Sequence, residues 1–175
     1  ISGLPAGAVI TDGATGHSYT STGATTQYDV SNWNLGTLTV TPAKDATANF
    51  DLTVTATAKE LSTQVEEVTT GKVSVVITAV NDAPVAIATT ATGAEDPSVG
   101  IAVKLSATDV DGLANVKSFN VGASSNGTFY TDAAMTKLVT GAINAVNGEA
   151  TVYFKPNTNF NGTANFTYTA TDSGN

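Results

Sequence analysis

FDLTVTATA, residues Phe50–Ala58, alternates an apolar side chain with Asp or Thr at every second position, the period of a strand buried on one face. The same period recurs at Leu38–Thr41 (LTVT), Val73–Val80 (VSVVITAV), Ile101–Ala107 (IAVKLSA), Thr151–Phe154 (TVYF) and Phe166–Thr171 (FTYTAT). No stretch carries a helical stripe. Gly, Asn, Asp and Pro clusters separate these runs at a spacing of roughly 8 to 12 residues, the pattern of a sandwich or barrel. The sequence therefore predicts an all-β chain. Its sharpest break is Val80-Asn81-Asp82-Ala83-Pro84, where turn formers and a proline without an N–H follow a β-prone run. The expected division is a module over 1–80, a linker over 81–84 and a second module over 85–175.

Composition narrows the function. Fifteen acidic residues face seven basic ones, all lysine, for a formal charge of −8. Such a chain has no arginine fork for phosphate and repels a nucleic-acid backbone, so no nucleic-acid partner is expected. One histidine and no cysteine exclude a Cys/His zinc cluster and a thiol nucleophile. His17 is the single imidazole base, and without a GxSxG elbow it reads as a surface residue in a polar loop. Enzymatic activity is not expected. No apolar run approaches the length needed to span a bilayer, so membrane insertion is not expected either.

Strand direction adds a geometric expectation. If the second module is an antiparallel sandwich entered from Asp82, the strand at Ile101–Ala107 returns Asp109 and Asp111 to the entry end. The strand at Phe166–Thr171 delivers Asp172 to the same end. In the first module, Asp45 precedes a strand that runs away from the linker end. Asp45, Asp82, Asp109, Asp111 and Asp172 thus converge on one junction, with Asn81 beside them, whereas Glu95 and Asp96 fall at the far end. Carboxylates so concentrated are either solvated and splayed apart or neutralised by a counter-cation, and with no basic residue nearby except Lys44 their concentration argues for the cation. Asp, Asn and carbonyl oxygens are hard donors that suit calcium rather than zinc or copper.

These residues also carry a resemblance. NDAPV (Asn81–Val85), AEDPS (Ala94–Ser98), ATDVDG (Ala107–Gly112) and FKPNTNFNGTANFTYTATDSGN (Phe154–Asn175) resemble the cadherin-like tandem repeats of large bacterial surface adhesins of the RTX type. GLPAGAVITDG (Gly3–Gly13) and LTVTPAKDATANFDLTVTAT (Leu38–Thr57) are similar to companion repeats of the same proteins. The resemblance implies two tandem Greek-key β-sandwiches of cadherin-like or Ig-like form, the first without its initial strands and the second without its last. It also implies calcium at the junction. Asn81 and Asp82 match the cadherin linker, Asp109 and Asp111 its DxD pair, and Asp172 the acid of AxDxG; Asp45 stands where the DRE motif has its Glu. Glu95 and Asp96 match the first-loop acid that faces a following junction. Ala43 and Ala79 replace two acids of the full pattern, which implies about one or two ions with dissociation constants near ~10⁻⁴ to 10⁻³ M.

The expected role is a non-catalytic extender of an extracellular, cell-surface adhesin. Its partners would be neighbouring repeats or adjacent identical subunits, with any surface glycan bound elsewhere in the full protein. Two alternatives stand beside it: a filament subunit joined by donor-strand exchange through incomplete edges, and a carbohydrate-binding module using Trp33 and nearby tyrosines. Trp33, preceding Leu35 and Leu38, reads instead as core. The Thr-x-Thr runs read as solvent-facing strand residues, and the three Asn-x-Thr sequons carry no assigned role.

Overall fold

The computed structural model describes residues 1–23 and 27–174; residues 24–26 and Asn175, the last residue of the FKPNTNF run, lie outside the described residues. The described residues form strands and short turns with no α-helix, and no helix among them is long and apolar enough to cross a membrane. The chain divides into two compact units, Ile1–Val80 and Asn81–Asn175.

In the first unit, β1 (Val9–Thr11) lies between β2 (Ser18–Thr20) and β3 (Thr39–Thr41), both antiparallel to it. Ile10 stands opposite Tyr19 and Val40, so the three apolar residues share one face and Ile10 is fully buried. Strands β4 (Phe50–Lys59) and β5 (Glu66–Val75) form a long hairpin that supplies Leu52, Phe50 and Val75 to the same core. The amino-terminal segment docks on this hairpin through Ser2 N–H to Thr53 O (2.9 Å) and Thr53 N–H to Ser2 O (3.0 Å). Gly3, at φ +90°, lies so close to the Asp51 carbonyl that a Cβ would collide with it. The far half of the hairpin packs on nothing among the described residues; Val54, Val68 and Leu61 are exposed.

The run Val73–Val80 was expected to be one strand, but β5 ends at Val75. The turn between β4 and β5 sets the register Phe50↔Val75, so Val76–Val80 lie beyond the end of their partner. Among the described residues, only Ile77 N–H there finds a substitute, the Asn49 side-chain carbonyl at 2.8 Å.

The second unit is a sandwich of seven strands among the described residues. β6 (Val85–Ala86), β7 (Ile101–Thr108), β9 (Gly127–Tyr130) and β11 (Glu149–Pro156) make one sheet in the order β6-β7-β11-β9. β8 (Ser118–Val121), β10 (Ile143–Asn144) and β12 (Tyr168–Thr171) make the other, in the order β10-β8-β12. The strand expected at Phe166–Thr171 is therefore the seventh of this unit, and the two-residue β10 before it is too short to show any alternation.

Alternation predicts the core of this unit. Val103, Leu105 and Ala107 of β7 point inward with Val152 and Phe154 of β11, while Ala102 and Lys104 point outward. Phe119 from the opposite sheet is fully buried and meets Tyr168 edge-on, with ring centroids 5.7 Å apart. The Tyr168 hydroxyl then reaches across to the carbonyls of Ser106 (3.0 Å) and Ile87, which ties β12 to β7 and to the chain following β6. Phe119→Ala should cost about 3–5 kcal/mol of stability, whereas Leu61→Ser at the exposed hairpin turn should change it by less than about 0.5 kcal/mol. Urea unfolding followed by circular dichroism checks both, and equal effects would contradict this placement of the core.

Candidate cation site in the second unit

Three chain segments meet at one end of the second sandwich. Asn81 and Asp82 lead into β6, Asp109-Val110-Asp111-Gly112 follows β7, and Asp172 follows β12. The Asn81 amide donates to Asp172 Oδ2 at 2.8 Å, across 91 residues of chain. The Asp82 N–H donates to Asp111 Oδ2 at 2.7 Å, and the Asp111 N–H to Asp109 Oδ1 at 2.8 Å. Gly112, at φ +109°, turns the chain into a single 3-10 turn over Leu113–Asn115. From there the Asn115 amide donates to the Asp111 carbonyl at 2.7 Å.

Asp172 is buried, and its carboxylate also accepts the Gly174 N–H at 2.9 Å. The Asn81 amide, followed by that N–H, holds its carboxyl below the usual range against the opposing effect of burial. One oxygen in the group is different: Asp109 Oδ2 is buried and has no hydrogen-bond partner among the described residues. A buried, unpartnered carboxylate oxygen is costly unless something positive occupies its free side.

The remaining expected residues lie elsewhere. Asp96 follows Glu95 ahead of β7, at the opposite end of that strand from Asp109, and its Oδ1 accepts the Asn159 N–H at 3.1 Å. Asp45 belongs to the first unit, at φ +59°, where both its oxygens take the Lys44 ammonium (2.9 and 2.7 Å). Among the described residues, no three Asp, Glu or His side chains are gathered closely enough to enclose a metal ion. The reason is visible in the bonds above: Asp109 Oδ1, Asp111 Oδ2 and both Asp172 oxygens are turned onto N–H donors. Asn115 was not expected in this group, although its position four residues after Asp111, across the glycine turn, is a signal that could have found it.

A family model described as bacterial Ig domain matches residues 81–175, the whole of this unit. The chain belongs to the bacterial Ig domain family. No curated protein and no solved structure matches the chain significantly. Bacterial Ig domains are structural modules, not known as enzymes, and typically occur in surface-exposed proteins.

The first unit corrects the reading of His17. It is half-buried rather than a plain surface residue: its ring stacks on Trp33 at 5.2 Å, and Nδ1 lies 2.8 Å from Asp12 Oδ2. An ionised carboxylate only accepts, so Nδ1 carries the proton. Asp12 also takes the N–H groups of Ala14 (2.9 Å) and Asn34 (2.7 Å), pinning the loop after β1 to the turn that carries Trp33. Trp33 itself is buried in the core, as its sequence context predicts. His17 chiefly, with these N–H donors, lowers the Asp12 pKa from 3.8 to about 2. Because the folded-state value is depressed, this stabilisation is present above the unfolded value near 3.8 and is lost as pH falls through about 2. Acid unfolding read by Trp33 fluorescence should show that loss between those limits, and Asp12→Asn should flatten it; an unchanged acid limb in the variant would contradict the pairing.

Proposed function

We propose that this chain is a non-catalytic extender segment of a bacterial surface adhesin of the RTX type, and that calcium stiffens it at the entry to the second unit. The observation that carries the reading is Asp109 Oδ2. It is the one orphaned buried side-chain oxygen among the described residues, and the other oxygen of the same carboxylate accepts the Asp111 N–H. Carboxylate oxygens are hard donors of the kind calcium takes at six to eight positions. Asn81, Asp82, Asp109, Asp111 and Asp172 would hold the ion.

The role of the ion is electrostatic. It would neutralise carboxylates that otherwise repel and would offer the free Asp109 oxygen a partner. Several oxygens now accept N–H groups, so binding has to turn them from these donors. That reorganisation argues for weak binding, in the ~10⁻⁴ to 10⁻³ M range of extracellular modules. Because Asn81 and Asp82 begin the second unit, an ion held there restrains the chain that enters it, and the segment resists bending at that point. Such stiffness suits a chain that projects adhesive modules away from a cell and supports attachment in a biofilm. Glu95 and Asp96, at the other end of β7, would serve a second site of the same kind.

Calorimetric titration with calcium, paired with thermal melting in calcium and in chelator, tests this reading. Saturable binding is expected with a melting temperature several degrees higher in calcium. Asp109→Ala with Asp111→Ala should reduce affinity at least tenfold. Absence of heat at millimolar calcium, with superimposable melts, would end the calcium reading and leave only the structural module.

A further inference from the structure

The sequence holds three Asn-Gly pairs, Asn126-Gly127, Asn147-Gly148 and Asn161-Gly162, and the fold treats them differently. Such a pair is chemically reactive because glycine has no side chain to hinder attack of its main-chain nitrogen on the preceding Asn side chain. The attack needs a main chain free to bend and an N–H free of partners. Asn147-Gly148 lacks that freedom. It is the centre of a tight turn, at φ 51° and 74°, closed by Val146 N–H to Glu149 O (2.8 Å) and Glu149 N–H to Val146 O (3.1 Å). Gly148 is buried, and its carbonyl accepts the Ala107 N–H at 2.9 Å. Asn126-Gly127 is held as firmly at the start of β9. The Asn126 carbonyl takes the Asn157 N–H (2.9 Å), its own N–H reaches Ser124 Oγ (3.3 Å), and a Cβ on Gly127 would collide with the Phe154 ring and the Lys155 carbonyl.

Asn161-Gly162 is held by nothing comparable. The chain before it is anchored, through Asn159 N–H to Asp96 Oδ1 (3.1 Å) and Phe160 N–H to Asn157 O (3.0 Å). Neither the Asn161 side chain nor the Gly162 N–H has a hydrogen-bond partner among the described residues, and both residues are exposed. Only the Phe160 ring borders the space a side chain on Gly162 would fill. We propose that Asn161 is a site of spontaneous covalent modification, at which the folded chain deamidates selectively. The deprotonated Gly162 nitrogen attacks the Asn161 side-chain carbonyl carbon and forms a carbon–nitrogen bond. The side-chain nitrogen leaves as ammonia, taking up a proton in place of the one Gly162 gives up. Water then opens the resulting five-membered succinimide at either carbonyl, which leaves aspartate or isoaspartate. Nothing is oxidised or reduced, and water is the one co-reactant. The product carries one more negative charge, in a segment with few hydrogen bonds to lose, and the step needs neither calcium nor the adhesin reading.

Ageing the full chain in warm, mildly alkaline buffer, with each Asn-Gly pair followed by peptide mapping and mass spectrometry, tests the proposal. Asn161 should convert about tenfold or more faster than Asn126 and Asn147, because each locked pair must first open locally. Labelling by an isoaspartyl methyltransferase should mark the same position. In concentrated urea, with the fold gone, the three rates should converge. Asn161→Gln, which can close only a larger and slower ring, should remove the first acidic species that ion exchange resolves from the fresh protein. Equal rates at the three pairs in the folded chain, or faster conversion at Asn126 or Asn147, would overturn the proposal. A preference for Asn161 that persists in urea overturns it as well, since the selectivity would then come from neighbouring residues in sequence and not from the fold.

Discussion

The burial of Phe119 against Tyr168 and the β7–β11 pair is the constraint from which the second unit takes its form. Phe119, Leu105, Val116 and Val152 are fully or almost fully shielded from water, and each such side chain contributes about 1.5–3 kcal/mol of transfer free energy. That gain fixes β7 and β12 in separate sheets with a common core between them. Everything polar then follows from where those strands stop. Asp109 and Asp172 emerge at one end, while Gly100 and Asn161-Gly162 lie at the other. Neither end could be moved by one residue without turning Leu105 outward.

This division sets where the polar chemistry falls. At the acidic end, backbone N–H groups left over by the turns after β7 and β12 are consumed by carboxylates, and Asn81 stitches the entry segment to the exit of β12.

Much of this was legible in the sequence. The alternation at Phe50–Ala58, Ile101–Ala107 and Thr151–Phe154 lies within β4, β7 and β11, because long half-buried strands leave a periodic record. The short strands β1, β2 and β10 have two or three residues each, too few for a period, and are held by neighbours distant in sequence. Val73–Val80 misled because β-propensity says nothing of register: the hairpin turn decides which residues find a partner. The carboxylates of the second unit could be placed from strand direction, but their rotamers could not, and those rotamers spend the oxygens on N–H donors. The stacking of His17 on Trp33 left no trace, since it joins residues from separate loops through space.

The β4–β5 hairpin, two ten-residue strands with largely open outer sides, looks like a template for unwanted fibril growth. Its charges argue otherwise. Lys72 meets Asp51 at 2.7 Å near one end and Lys59 faces Glu66 at the other, so a strand approaching side by side would have to desolvate an ion pair at each end. Those end charges oppose the edge-to-edge pairing that the hairpin's open flanks would otherwise invite.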